Sequence, residues 1–307
     1  MAELKTVGRF APTPSGRMHL GNVFAALMAW LSVRSKGGEM VLRMEDLDTQ
    51  RTSEEYAQIL REDLRWLGLD YDRETPPQSA RSAVYDRYFD KLAEMGLLYP
   101  CYCTRSQLHS VNAPHLSDGT YVYPGTCRNL TEAQRATFHR APAWRVRVPD
   151  RVWTVEDRVQ GHYECNLATD CGDMVVRRAD GVYVYQLAVT VDDGEAGVTE
   201  VVRGMDLLSS APRQMYLQEL LDFPHPAYAH VPMLLAPDGR RLSKRDKDLD
   251  LGQLRARVTP ERLIGTLAFS AGLIERNEPV FARELAGEFR WDKLRRESIF
   301  LNSEQLI

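Results

Sequence analysis

Residues 9–22 read Arg9-Phe10-Ala11-Pro12-Thr13-Pro14-Ser15-Gly16-Arg17-Met18-His19-Leu20-Gly21-Asn22, and the fold turns on this stretch. Two prolines and a glycine in close succession exclude a helix or a central strand, so a short strand over 5–10 must run out into a stiff loop. Over 19–33 the apolar residues Leu20, Val23, Phe24, Leu27, Met28, Trp30 and Leu31 recur at three- and four-residue spacing. That pattern predicts a mostly buried helix, closed by Gly37-Gly38. Residues 39–44 then read as a second strand, with Glu45, Asp46 and Asp48 at its C-terminal end. Strand, loop, helix and strand in so short a span predict a right-handed βαβ unit on a parallel sheet.

Working outward, a helix is expected over 53–67, with Ser53 as N-cap and Ile59, Leu60, Leu64 and Leu67 on its apolar side. Pro76-Pro77 breaks the chain, and a third helix over 85–95 ends at Gly96. From Pro100 to Cys171 the character changes: clustered cysteines come first, then alternating runs over 144–148 and 152–155, which predict an inserted, partly β subdomain. Strands are expected over 174–178 and, past the Asp180-Gly181 turn, over 182–191. A strand over 199–203, a helix over 212–221 and a strand over 228–235 follow. Beyond Lys244 the chain reads as mainly helical, with Thr259-Pro260 opening a helix through Ala271.

Composition narrows the function. With 307 residues, 44% hydrophobic and 27% charged, the chain is neither disordered nor collagen-like. No run approaches about 18 apolar residues, and MAELKTVGRFAPTPSG lacks a basic-then-apolar succession, so neither a membrane span nor secretion is expected. Acidic side chains outnumber basic ones by 43 to 39, a net charge of −4 that argues against nucleic-acid binding through bulk positive charge. A local basic surface stays open. The five cysteines, Cys101, Cys103, Cys127, Cys165 and Cys171, suit reduced thiols in a cytoplasmic protein.

A strand that ends in a proline-stiffened loop and opens a helix offers free backbone N–H groups and the positive end of a helix dipole, a setting for phosphate. At His19-Leu20-Gly21-Asn22 the glycine lets a flat ligand approach the backbone, and the imidazole is a phosphate donor or, in the blander alternative, only a helix cap. Much later stands Arg240-Arg241-Leu242-Ser243-Lys244-Arg245, after the turn Pro237-Asp238-Gly239. It is either a basic loop that neutralises a polyphosphate or a solvated surface turn.

Taken together, the motifs resemble the glutamyl-type class I aminoacyl-tRNA synthetases. Residues 9–16 with His19-Leu20-Gly21-Asn22 are similar to the opening and HIGH signature of that family, and Arg241-Leu242-Ser243-Lys244-Arg245 to its KMSKS loop. Between them Gly172–Arg178, Asp180-Gly181, Tyr185-Gln186-Leu187-Ala188 to Asp192-Asp193, and Gly197–Gly204 follow the glutamyl-specific pattern in order. The resemblance implies an α/β fold: a Rossmann-type parallel-sheet catalytic domain with an inserted zinc-containing subdomain and a short C-terminal helical region. The units expected are 1–98 and 172–245 for the two halves of the catalytic domain, 99–171 for the insertion and 246–307 for a helical stem-contact region.

The same resemblance implies the chemistry. Glutamate would be activated by ATP with Mg²⁺ as an acyl-adenylate, and the acyl group then passed to a nucleic-acid hydroxyl. Both substrates are anionic, so catalysis rests on positioning and charge neutralisation. His19, Asn22 and Lys244 take the catalytic roles, and His19, Gly21, Ser243 and Lys244 bind ATP. Glu45 faces the glutamate ammonium, Arg9 and Arg203 face carboxylates, and Ala11, Thr13 and Tyr185 complete the pocket. One departure stands out: Val189 occupies the place after Tyr-x-Leu-Ala where the family usually has asparagine, which implies altered substrate handling.

Cys101, Cys103 and Cys127 supply three thiolates, and zinc asks for a fourth ligand. Chemistry alone nominates His109 or His115, whereas the resemblance points to Tyr123, paired with Cys127 as Tyr-x-x-x-Cys. That pairing, Asn22 and Val189 are similar to the short glutamyl-queuosine branch of the family. Membership of that branch implies no anticodon-binding domain after Lys244, and transfer of glutamate to the queuosine base in the anticodon of tRNA(Asp), by a monomer. Two other readings stay open: a truncated synthetase charging the 3′ end of tRNA(Glu), and a non-catalytic tRNA-binding paralogue.

Overall fold

The computed structural model describes residues 5–110, 122–240 and 250–301. Strand β1 (Val7–Phe10), helix α1 (Leu20–Arg34) and strand β2 (Glu39–Leu42) form the expected unit, with β1 and β2 paired in parallel from Val7 opposite Glu39 to Phe10 opposite Leu42. Most of α1 is buried, and it lies so close to β1 that a Cβ on Gly8 would meet Val33 Cγ2 at 2.3 Å. Only glycine permits that approach. Helix α2 (Glu54–Leu67) starts as predicted at Ser53, whose side chain accepts from the Tyr56 N–H, and stops at Gly68 in the left-handed conformation. Strand β3 (Arg73–Glu74) adds to β2 in parallel, and helix α3 (Ser82–Glu94) begins one turn earlier than its sequence pattern.

The inserted stretch is a mixed one. It contains β4 (Leu98–Cys101), α4 (Arg105–Ser110), α5 (Glu132–Arg135), β5 (Ala143–Val146), β6 (Val152–Asp157), β7 (Gly161–Asn166), α6 (Leu167–Asp170) and β8 (Met174–Arg177). Strands β4, β5 and β8 make an antiparallel sheet, and β6 with β7 a hairpin. The three-stranded sheet therefore draws on residues either side of the 171/172 division drawn from the sequence.

The chain next forms α7 (Tyr185–Glu195), β9 (Glu200–Gly204), α8 (Ser210–Leu221) and β10 (Ala227–Val231). Helix α7 corrects the sequence reading, which expects strand over 182–191. The run Leu187–Asp193 is buried on every side, so it shows no amphipathic stripe, and its β-branched Val189, Thr190 and Val191 favour strand locally. Tertiary packing overrides that preference. The strand expected over 228–235 divides at Pro232-Met233 into β10 and β11 (Leu234–Leu235). After α9 (Leu251–Leu254), α10 (Pro260–Ser270), capped by Thr259 as predicted, and α11 (Ala282–Ala286), β12 (Ile299–Phe300) pairs with β11.

The main sheet has the order β10-β9-β1-β2-β3, with every neighbouring pair parallel. From the central β1 the chain moves first to β2 on one side and later to β9 on the other. Such a reversal opens a crevice beyond the carboxyl ends of the strands, where ligands of open α/β sheets bind. Among the described residues no helix is long and apolar enough to cross a membrane.

Candidate active site

A cavity of about 500 Å³ fills that crevice. Each sequence-predicted pocket residue that the structure describes lines it: Arg9 and Ala11 at the end of β1, Thr13 in the proline loop, His19, Gly21 and Asn22 at the start of α1, Glu45 beyond β2, Tyr185 at the start of α7, and Arg203 on β9. Val189, buried in α7, is not among the lining residues. Ser243 and Lys244, with the rest of the basic stretch 241–245, lie outside the described residues.

The loop is fixed by backbone bonds. The Glu45 and Ser53 N–H groups donate to the carbonyls of Pro12 and Pro14, at 3.0 and 3.1 Å. At the helix start, His19 is indeed the N-cap: its Nδ1 accepts from the Gly21 N–H at 3.1 Å. A nitrogen that accepts carries no proton, so the neutral ring holds its proton on Nε2 and is a donor there. A Cβ on Gly21 would sit 3.0 Å from the His19 ring, so glycine is what lets the imidazole fold back onto the helix end. Cap and phosphate donor are thus compatible roles for one histidine.

Beneath the loop lies a buried charge network. Asp193 accepts from Arg43 Nη1 at 2.6 Å and from Arg9 Nε at 3.5 Å, and Arg43 also reaches Glu45 at 3.1 Å. Burial would raise the Asp193 carboxyl, but Arg43 and Arg9 outweigh it and hold that group below the ordinary range. Glu45 goes the other way: burial raises its carboxyl despite Arg43 and Arg9. A cation delivered to Glu45 by a ligand would relieve that cost.

Arg203 differs from the other two arginines. Its Nε donates to His230 Nε2 at 2.9 Å and its Nη1 to Gln214 Oε1 at 2.8 Å, with the Tyr185 hydroxyl 3.5 Å away. Its Nη2 is buried without a hydrogen-bond partner. A buried guanidinium with an unmet donor in a cavity wall is a binding group for a carboxylate or phosphate. His230 in turn shares a proton with Asp157 at 2.6 Å, and Asp157 accepts the N–H groups of His230, Val159 and Gln160.

His230 is wholly buried, and burial together with the Arg203 charge lowers it to about 4 against the pull of Asp157. Asp157, opposed by burial but held by His230 and two amides, falls to about 2. Both groups bind protons less readily in the folded chain than in the unfolded one, so both make stability rise with pH. Folding stability should therefore decline as pH falls from about 6.5 towards 4 through His230, and further below that through Asp157. Thermal melts of the wild type and His230→Gln across this range check it: the variant should show a shallower slope between pH 6.5 and 4.

Arg43, Asp157, His230 and Gln214 escape the motif reading. Two carried a visible signal, since Arg43 directly follows the apolar end of β2 and His230 lies inside the otherwise apolar β10, placements that folding tolerates only when the group is paired. Asp157 and Gln214 gave none.

The cysteines converge in the insertion. Sγ atoms of Cys101, Cys103 and Cys127 all lie within 4.8 Å of one another, with Cys103 to Cys127 at 3.6 Å. Sulfurs around tetrahedral zinc stand about 3.8 Å apart, given Zn–S bonds of about 2.3 Å. The Tyr123 hydroxyl is 3.5 Å from Cys101 Sγ and 4.0 Å from Cys103 Sγ. Arg145, over the Tyr123 ring at 3.6 Å, overcomes burial and lowers the Cys101 thiol. Burial and the two neighbouring sulfurs push Cys103 up to about 12, a crowding that a bound dication would relieve. The donor set therefore fits a metal. His115 and the His109 side chain lie outside the described residues.

Residues 5–293 match the family described as class I tRNA synthetases for E and Q, catalytic domain. The chain is 47% identical to the glutamyl-Q tRNA(Asp) synthetase of Nitratidesulfovibrio vulgaris over 91% of its own length and 90% of that protein's. It is 44% identical to the enzyme of that name from Symbiobacterium thermophilum, over 97% of each chain. Among solved structures, the glutamate-tRNA synthetase of Elizabethkingia anophelis superposes with a TM-score of 0.84 at 28% identity, over 98% of this chain and 69% of that one.

Proposed function

The chain belongs to the glutamate- and glutamine-type class I tRNA synthetases, and from that membership we propose that it activates L-glutamate with ATP and transfers it to the queuosine base in the anticodon of tRNA(Asp). The observation that carries the amino-acid half is the wall of one cavity: Glu45 in the loop after β2, Arg9 on β1 and Arg203 on β9. One acidic and two basic groups complement an ammonium and two carboxylates. The names of the relatives at 47% and 44% identity support the RNA half.

In the first step an α-carboxylate oxygen of glutamate attacks the α-phosphorus of ATP, and pyrophosphate leaves. Glu45 takes the ammonium, Arg9 and Arg203 the carboxylates, while Ala11, Thr13 and Tyr185 shape the walls. His19 Nε2 stabilises the α-phosphate, Gly21 leaves room for ATP at the helix opening, Asn22 closes that opening, and Ser243 and Lys244 draw on the β- and γ-phosphates. Mg²⁺ accompanies ATP and offsets its charge. In the second step a hydroxyl of the queuosine base attacks the acyl carbon, and AMP leaves. The chain works in the cytoplasm, where its free thiols stay reduced.

Tests follow from each half. Purified protein should catalyse pyrophosphate exchange that depends on glutamate. It should also label queuosine-bearing tRNA(Asp) from which the 3′-terminal adenosine has been removed. Loss of labelling on that trimmed RNA would favour 3′-end charging instead.

Zinc belongs to the same proposal. Cys101, Cys103, Cys127 and Tyr123 hold one ion that ties the insertion together; its role is structural because four protein ligands leave no open position. Metal analysis should find about one zinc per chain, and Cys127→Ser should remove it and lower the Tm by roughly 5–10 °C. A metal-free wild type with unchanged Tm would refute this.

A further inference from the structure

Three buried arginines in and beneath the site, Arg9, Arg43 and Arg203, divide by partner. Arg9 and Arg43 lie against carboxylates, Asp193 for both and Glu45 for Arg43 as well. Arg203 forms no ion pair among the described residues: its hydrogen-bond partners, His230 Nε2, Gln214 Oε1 and the Tyr185 hydroxyl, are all neutral. An arginine cannot lose its proton, so the nitrogen that accepts from Arg203 Nε must be bare. The single proton of the His230 ring is then on Nδ1 and goes to Asp157. Asp157 thus stands one residue away from Arg203, separated from it by a neutral ring.

We propose that His230, oriented by Asp157, is a positioning residue for glutamate recognition. It fixes the Arg203 guanidinium with Nη2 free of any protein partner and leaves its positive charge unspent on any protein carboxylate. Were a carboxylate at position 230, it would pair with Arg203 directly and compete with the substrate. Were position 230 apolar, Arg203 Nε would be buried without an acceptor, and the fork would turn. The arrangement also ties the pocket to the insertion, since Asp157 ends β6 and its hairpin docks on β10: the Arg158 N–H donates to the Tyr228 carbonyl, and Gln160 Nε2 to that of His230. This inference rests on the glutamate reading above.

Two variants separate positioning from simple packing. Asparagine at 230 can keep the bond to Asp157 but offers Arg203 Nε nothing, whereas glutamine reaches the place of Nε2 and can accept from it. In glutamate-dependent pyrophosphate exchange, His230→Asn should raise the glutamate KM about 10- to 100-fold, the worth of one hydrogen bond to a charged group. The ATP KM should stay within about 3-fold, and His230→Gln should restore the glutamate KM to within about 5-fold of wild type. Equal glutamate KM values for wild type and His230→Asn, or equal losses in both variants that track a fall in Tm, would overturn the positioning role. A wild type silent with glutamate but active with another amino acid would overturn the substrate reading, and this assignment with it.

Discussion

Replacing Arg203 by methionine should lower kcat/KM for glutamate by about 10²- to 10³-fold, that is about 3–4 kcal/mol, with the loss carried by KM and the KM for ATP unchanged. The side chain keeps its length and apolar stem, so the effect isolates the guanidinium. Two costs add. The substrate loses a charge-assisted bond from the guanidinium, and His230 Nε2 and Gln214 Oε1, buried behind it, lose their donor. Arg203→Lys should recover only part of the loss, because an ammonium cannot serve His230, Gln214 and a carboxylate at once in one plane. Steady-state pyrophosphate exchange with glutamate and ATP varied separately checks both variants; an unchanged glutamate KM in Arg203→Met would remove this arginine from substrate recognition.

His19→Asn should lower kcat for adenylate formation by about 10²-fold while leaving the glutamate KM within about 3-fold of wild type. The choice of asparagine separates the two roles of this residue. Asparagine is a good N-cap and can accept from the Gly21 N–H, so α1 stays fastened and the fold stays intact. It has no donor at the reach of Nε2. If the histidine served only as a cap, His19→Asn would retain wild-type exchange rates and wild-type Tm. If it also stabilises charge on the α-phosphate, the Tm holds and kcat falls.

The parts of this molecule that were legible in its sequence share a physical trait: their signals are local. The prolines and glycine of 12–16 can only be loop, Ser53 and Thr259 are caps whose partners sit three residues on, and α1 shows its apolar residues at helical spacing. Helix α7 has the sequence pattern of a strand because a helix buried on all sides carries no stripe, so only its tertiary surroundings distinguish the two. Likewise motif residues such as Arg9, Glu45 and Arg203 line one cavity, whereas the residues that hold them belong to no motif. Arg43 and His230 look like isolated polar residues at the end of one apolar run and inside another until the fold brings Asp193 and Asp157 against them from more than 70 residues away. Second partners such as these are specified by topology, which no short pattern records.

The central claim is that glutamate activated in this cavity is delivered to a modified base. It is tested most directly by incubating the purified chain with ATP, Mg²⁺ and labelled glutamate and two preparations of tRNA(Asp), one carrying queuosine and one carrying unmodified guanosine at the same anticodon position. Label should enter the queuosine-bearing RNA and be absent from the other, and digestion should release it with the anticodon fragment. Equal labelling of the two preparations, or label released with the 3′-terminal nucleotide, would contradict it.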